Sequence, residues 1–216
     1  MFESSLKGIK SFFEENGELK QYKKGAIAFD SRSKSKDIYF IKKGYVGIFK
    51  SALEGKDILL SIYKSKQIFP LMWVLKRNIG DIYFSCLTDC EIYSVSGRNF
   101  KNFLKSDSKA ALETVDLLSN LCLYYIYALE TLSIPDVKRK VASRILFYGK
   151  RFGQNVGGRL VVYTPLTQEL LAGSVALRRE TVTRTLKTLQ QENLIDYSRG
   201  KITILDPEGL KKLITS

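Results

Sequence analysis

Histidine is absent from all 216 residues, and cysteine occurs three times, at Cys86, Cys90 and Cys122. Without imidazole, and without cysteines clustered near the N-terminus, the chain has little with which to hold zinc, haem or an iron–sulfur cluster, and no metal or cofactor is expected. A nucleophile at Cys86 or Cys90 would lack its usual histidine base, and there is neither a glycine-rich phosphate loop nor a motif of paired carboxylates, so an enzyme is not expected. An odd number of cysteines at loose spacing is no disulfide framework, which points to reduced thiols in a cytoplasm. Cys86 and Cys90 read as core cysteines, with a redox pair as the alternative. Long apolar runs are also missing. The most apolar stretch, LLSNLCLYYIYAL at 117–129, is interrupted by Ser119 and Asn120 and falls short of the roughly 20 residues that cross a bilayer. The opening MFESSLKGIKSFFEE mixes Glu and Lys among its apolar residues, unlike a signal peptide, so a soluble protein with no membrane partner is expected.

What is abundant is positive charge. The formal net charge is +13, and residues 134–216 carry 15 Lys and Arg against 7 Asp and Glu, while residues 1–133 carry 20 against 15. The excess is denser toward the C-terminus, which favours a polyanionic partner there without saying which.

The segment Leu166–Leu189, LTQELLAGSVALRRETVTRTLKTL, lies inside that basic region. Two short helical patterns meet in it across Val175-Ala176-Leu177. Val182, Leu186 and Leu189 share one face of the second, and Glu180, Thr183, Arg184 and Lys187 lie opposite. Arg178 and Arg179 fall at its start, where the helix dipole disfavours a cation by roughly 0.3–1 kcal/mol. An anion beyond the helix end reverses that sign. The plainer alternative is a solvated face, in which Glu180 and Arg184 form a pair worth about 0.2–0.5 kcal/mol. Thr167 is placed to cap the first pattern, whose two turns must pack on the second through Leu170, Leu171 and Val182, a helix-turn-helix. Beyond it, two short β-branched runs about Ser198-Arg199-Gly200 read as a hairpin with Arg199 and Lys201 at its tip, a wing whose cations would meet phosphate.

LTQELLAGSVALRRETVTRTLKTLQQENLIDYSRGKITILD resembles the winged helix of the Crp/Fnr (cyclic-AMP receptor protein/fumarate-nitrate regulator) family of bacterial transcription factors. Arg179-Glu180-Thr181-Val182-x-Arg184 matches the recognition-helix motif of the cyclic-AMP receptor branch, and the resemblance implies that Arg179, Glu180 and Arg184 touch base edges of double-stranded DNA. It implies RNA polymerase as a further partner. Arg178 stands where the family often has a capping Ser or Thr.

Upstream the period changes. Residues 2–15 read as an amphipathic helix with Phe2, Leu6, Ile9, Phe12 and Phe13 on one side. From Leu19 to Val95 at least six short runs, among them 26–29, 38–41, 46–49, 58–63, 82–86 and 91–95, are punctuated by Gly25, Gly44 and Gly55, which argues for a small antiparallel barrel or roll. The resemblance implies the β-roll of cyclic-nucleotide-binding proteins, with Tyr22-Lys23-Lys24-Gly25 and Ile38–Gly44 similar to its opening strands. Nucleotide-binding relatives hold the cyclic phosphate with a Gly-Glu pair and, further on, an Arg-Ser or Arg-Thr pair. Aligned through Cys90–Val95, those positions are Phe69 and Ile79-Gly80 here, so cyclic AMP and cyclic GMP are not expected as ligands. Phe69, Trp73, Tyr83 and Phe84 either plug the roll or line a pocket for an apolar or aromatic effector.

Residues 97–106 read as a short helix leading into a long one at 110–133, about 36 Å at 1.5 Å per residue. Leu112, Val115, Ser119, Cys122, Ile126 and Leu129 make one stripe; Leu118, Leu121, Tyr125 and Leu132 make a second. Two apolar sides need two partners, the roll and the same helix of a second chain, the alternative being a fully buried helix of a monomer. Pro135 ends this helix, Asp136 caps the next, at 137–151, and 153–158 reads as a loop before a strand at 160–163. The expected class is α+β: an antiparallel roll with flanking helices (1–108), a dimer helix and hinge (109–134), and a winged helix-turn-helix (135–216). The expected function is a homodimeric, sequence-specific DNA-binding regulator that reads an inverted repeat, with non-specific nucleic-acid binding as the alternative.

Overall fold

The computed structural model describes residues 6–33, 35–51, 57–76, 80–163, 165–198 and 201–215. Phe2, Gly55, Ile79, Arg199 and Gly200, all singled out above, lie outside them. The chain forms two compact units that divide between Leu121 and Cys122. This division lies inside the long helix, whereas the sequence reading places its breaks at 108/109 and 134/135.

In the first unit, helix α1 (Lys7–Asn16) is followed by β1 (Glu18–Tyr22), β2 (Ile27–Asp30), β3 (Asp37–Lys43), β4 (Tyr45–Lys50), β5 (Ile58–Lys64), β6 (Ile68–Phe69), α2 (Leu71–Lys76), β7 (Ile82–Cys86), β8 (Cys90–Ser96) and α3 (Gly97–Ser106). The strands make two antiparallel sheets, ordered β1-β8-β3-β6 and β2-β7-β4-β5. Tyr39 and Ile41 of β3 enter the core between the sheets, while Ile38 and Phe40 enter a second core with Ile9 and Phe13 of α1 and Phe100 of α3. Burial on both faces is why β3 is an unbroken apolar run rather than an alternating one. Gly44 links β3 to β4 at φ +103, and a Cβ there would stand 2.5 Å from Cys90 Sγ; the turn therefore needs glycine both for its backbone and for its closeness to β8.

The long helix α4 (Ser108–Ser133) turns Ala110, Glu113, Thr114, Leu117, Tyr124 and Thr131 inward. Of the second stripe expected from the sequence, Leu118 and Leu121 are half-buried but Tyr125 and Leu132 are exposed. The inner face accepts polar residues that an apolar stripe passes over. Glu113 is one of them: its carboxylate accepts from the N–H groups of Gly8 (3.4 Å) and Ile9 (3.3 Å). It thereby satisfies the start of α1, where Leu6 offers no side-chain cap.

In the second unit Asp136 accepts from Arg139 N at 2.7 Å and starts α5 (Val137–Phe152). The segment expected to be a loop is instead β9 (Gly153–Val156), paired antiparallel with β10 (Arg159–Val162). Gly157 and Gly158 both take positive φ, 58° and 79°, the geometry of a two-residue hairpin turn, and strands of four residues are too short to announce themselves by alternation. Then come α6 (Gln168–Val175), α7 (Arg179–Gln191), β11 (Ile195–Ser198), β12 (Lys201–Ile204) and α8 (Pro207–Thr215), the last not foreseen. The sheet order is β11-β12-β10-β9. Among the described residues no helix is long and apolar enough to cross a membrane.

Candidate nucleic-acid interface

Thr167 caps α6 as its sequence position suggests, its hydroxyl accepting from Leu170 N at 3.2 Å. Ala176 closes the helix in the left-handed region, φ 53° and ψ 44°, with its N–H on Ala172 O. That reversal aims α7 away from α6. Leu171, Ala172 and Val175 of α6 and Val182, Leu186 and Leu189 of α7 are buried, whereas Leu170, assigned to this core from sequence, is only half-buried. Ala172 and Val175, two and five residues further on, take that place.

Helix α7 starts at Arg179, and Arg178, as the residue before it, supplies no side-chain cap. The first-turn N–H groups therefore keep their donor capacity, and the positive end of the dipole is reinforced by two arginines. Arg178, Arg179, Glu180, Arg184 and Lys187 are exposed. The possible Glu180–Arg184 pair is not formed: among the described residues none of these five takes part in an ion pair. Thr183 is different. It is half-buried, and its hydroxyl donates to Gln168 Oε1 (2.8 Å) or to Arg179 O (2.9 Å). Its described role is to tie α7 to the start of α6, so Gln168, unnoticed in the sequence, belongs to the frame of the site. A Gln directly after a capping Thr was the available signal. The far end of α7 is held by Lys138 and Glu192, which form an ion pair.

The hairpin pairs Ser198 with Lys201; Arg199 and Gly200, expected at its tip, lie outside the described residues. Lys201 is exposed, its Nζ 5.0 Å from the ring centre of Tyr163. Two further arginines of this unit, buried on α5, were not singled out from the sequence. Arg144 is 2% exposed and stands 5.8 Å from the rings of Phe147 and Tyr148. Arg151 stands 4.4 Å from the ring of Tyr124. A helical charge pattern reads such residues as solvent-facing, but flat guanidinium groups can be enclosed by aromatic faces.

The four aromatics assigned to the roll separate. Phe69 and Phe84 are buried and stack on each other at 4.7 Å, with Tyr39 on the other side of Phe69 at 5.2 Å. Tyr83 leaves the group: neighbours in a strand point to opposite faces, so it cannot share the interior with Phe84. It stacks on Phe49 at 5.2 Å and donates to Asp57 Oδ2 at 2.5 Å; burial and this bond push its phenol well above the usual range. Trp73 is half-buried and meets Phe29 edge-on at 5.7 Å. Cys86 and Cys90 are free thiols in the same core. A hydrogen bond between them raises the first and lowers the second.

On α4, Leu112 and Leu129 are each 66% exposed, Val115 55% and Ile126 51%, and Cys122 is exposed beside them. Among the described residues no group of three or more Cys, Asp or Glu could hold a metal ion.

Family comparison matches residues 139–213 to the Crp-like helix-turn-helix domain and residues 19–107 to the cyclic nucleotide-binding domain. The global nitrogen regulator of a Nostoc species is 24% identical over 180 residues, covering 82% of this chain and 81% of its own. A CRP-like cAMP-activated global transcriptional regulator of Mycobacterium tuberculosis is 24% identical over 191 residues, 88% of this chain and 85% of its own. Among solved structures, a CooA variant from Carboxydothermus hydrogenoformans shares the fold with a TM-score of 0.80 at 20% identity, covering 94% of this chain and 90% of that one.

Proposed function

The chain belongs to the Crp/Fnr family of DNA-binding transcription regulators, and from that premise we propose that it reads an inverted repeat in duplex DNA as a homodimer. The observation that carries this reading is the exposed face of α7, where Arg178, Arg179, Arg184 and Lys187 stand without ion-pair partners among the described residues. In a major groove, Arg179, Glu180 and Arg184 would meet base edges, and Lys187 the backbone. Thr167 would add a phosphate contact beside its capping bond. Lys201, and Arg199 with it, would meet phosphate from the wing. Thr183 would act by holding α6 and α7 at a fixed angle, so its substitution would blur the geometry rather than remove one contact.

The second chain enters through α4. Leu112, Val115, Cys122, Ile126 and Leu129 form an exposed apolar stripe on one helix face, and a contiguous stripe of that kind on a water-facing helix marks an interaction surface. A second copy of the same helix supplies a matching stripe, and a twofold pair would carry two recognition helices to half-sites about 10–10.5 bp apart.

A cyclic phosphate does not suit this roll. Phe69, at the position of the phosphate-binding carboxylate, is fully buried between Tyr39 and Phe84. A phosphate there would displace stacked rings and find no described cation beside it, an unpaired buried charge. An interior closed by its own aromatics fits a regulator that is competent for DNA without a ligand inside the roll. An apolar effector would need Phe69 or Phe84 to move. Contact with RNA polymerase and residence in a cytoplasm complete the proposal.

Selection from a pool of random duplexes tests it. The expected product is an inverted repeat, bound by two chains per duplex, and Ile126→Asp with Leu129→Asp should sediment as a single chain and lose the repeat. Recovery of unenriched sequence would instead favour binding by charge alone.

A further inference from the structure

We infer that a groove on the outside of the N-terminal unit binds a small polyanion carrying a flat ring, the chemistry of a nucleoside polyphosphate. The groove measures about 890 Å³, within the range of small-molecule sites. It is lined by Trp73 and Val74 and by Lys36, Arg98, Lys101 and Lys105, with Ser33, Ser96 and Asn102 as further donors, and no Asp or Glu is among its described lining. Asp37, on the adjoining strand, accepts from Ser35 at 3.2 Å and is not part of that lining.

The charge arrangement is hard to explain by the fold. Arg98, Lys101 and Lys105 recur at i, i+3 and i+7 along α3, so they are neighbours on one helix face and repel. Arg98 also sits in the first turn, where the dipole disfavours a cation. Ser96 already caps that helix by accepting from Asn99 N at 3.2 Å, so an anion in the groove is held by side chains rather than by the helix end. None of the four cations pairs with a carboxylate among the described residues; in the same unit Lys20, Lys23, Arg32 and Lys42 do, and Lys7, Lys43, Lys50, Lys66 and Lys109 do not, so what distinguishes the four is that they line one groove. Bound phosphates relieve the repulsion; Ser33, Ser96 and Asn102 satisfy the remaining oxygens.

The indole supplies the other half of the ligand. Trp73 touches the core edge-on through Phe29 and is half-buried, which leaves part of its ring to the groove for stacking. A ring beside a cluster of cations matches a nucleotide better than an acidic peptide, which would use the cations and leave Trp73 without a stacking partner. Ligand on Trp73 would reach the roll core through Phe29. The inference is independent of the DNA reading, because the two have separate readouts.

Trp73 is the only tryptophan of the chain, so its fluorescence reports on the groove alone. ATP without magnesium, titrated into the full chain at physiological salt, should quench it saturably. Arg98→Ala with Lys101→Ala should weaken that binding by roughly tenfold or more, the loss of charged hydrogen bonds, whereas Lys20→Ala with Lys42→Ala, an equal loss of charge outside the groove, should not. Tripolyphosphate should compete without quenching. No saturable quench up to millimolar ATP, equal weakening by the two double variants, or displacement of ATP by a glutamate decamer or a DNA duplex at matched charge would overturn the inference.

Discussion

In the roll, Lys20, Lys23, Arg32 and Lys42 each stand 2.6–3.2 Å from a carboxylate, those of Glu18, Asp89, Asp30 and Glu91. On α7 of the second unit, Arg178, Arg179, Arg184 and Lys187 have no such partner among the described residues, although Glu180 lies one turn from Arg184. Exposed pairs contribute only about 0–1 kcal/mol, so this contrast matters little for folding. It matters for what remains available. Paired cations are neutralised where they stand, and unpaired ones keep their field for a partner. Within the first unit the groove cations Lys36, Arg98, Lys101 and Lys105 share with α7 the lack of a carboxylate partner among the described residues.

If burial carries stability and unpaired charge carries binding, core substitutions must damage both units alike while cation substitutions leave folding untouched. Phe84→Ala should cost about 3–5 kcal/mol and Leu186→Ala about 2–5 kcal/mol in urea unfolding. Arg184→Ala should change stability by less than about 0.5 kcal/mol yet weaken binding to the preferred duplex by about 1–3 kcal/mol and relax the choice at one base pair, read by competition binding. An Arg184 variant that unfolds early would break the contrast. Thr167→Ala should cost about 1 kcal/mol of unfolding free energy through its lost cap. Smallest, Lys201→Ala should weaken every duplex similarly and make the salt slope shallower by about one unit.

The two units also differ in how openly their sequences speak. Val182, Leu186 and Leu189 repeat at helical spacing beside a cap, a break and a hairpin, so the winged helix is local and its residues could be named. The roll is assembled by contacts far apart in the chain. Its strands were legible as apolar runs, yet their two-sided burial hid which residue faces where, and Tyr83 was placed with Phe84 although adjacent strand positions oppose each other. The inner face of α4 ran through Tyr124 rather than Tyr125 because Glu113, Thr114 and Thr131 share it, and an apolar count does not follow polar residues inward. Arg144 and Arg151 escaped because a cation on a helix reads as solvent-facing, although Arg144 stands against Phe147 and Tyr148 of its own helix and Arg151 against Tyr124 of α4.

The most direct test is the ratio of affinities of the unmodified protein for its selected duplex and for a scrambled duplex of equal length, measured at one physiological salt concentration. Reading of base edges by α7 predicts a ratio of about 10³ or more. Equal affinities would mean that the free cations of α7 contribute charge alone.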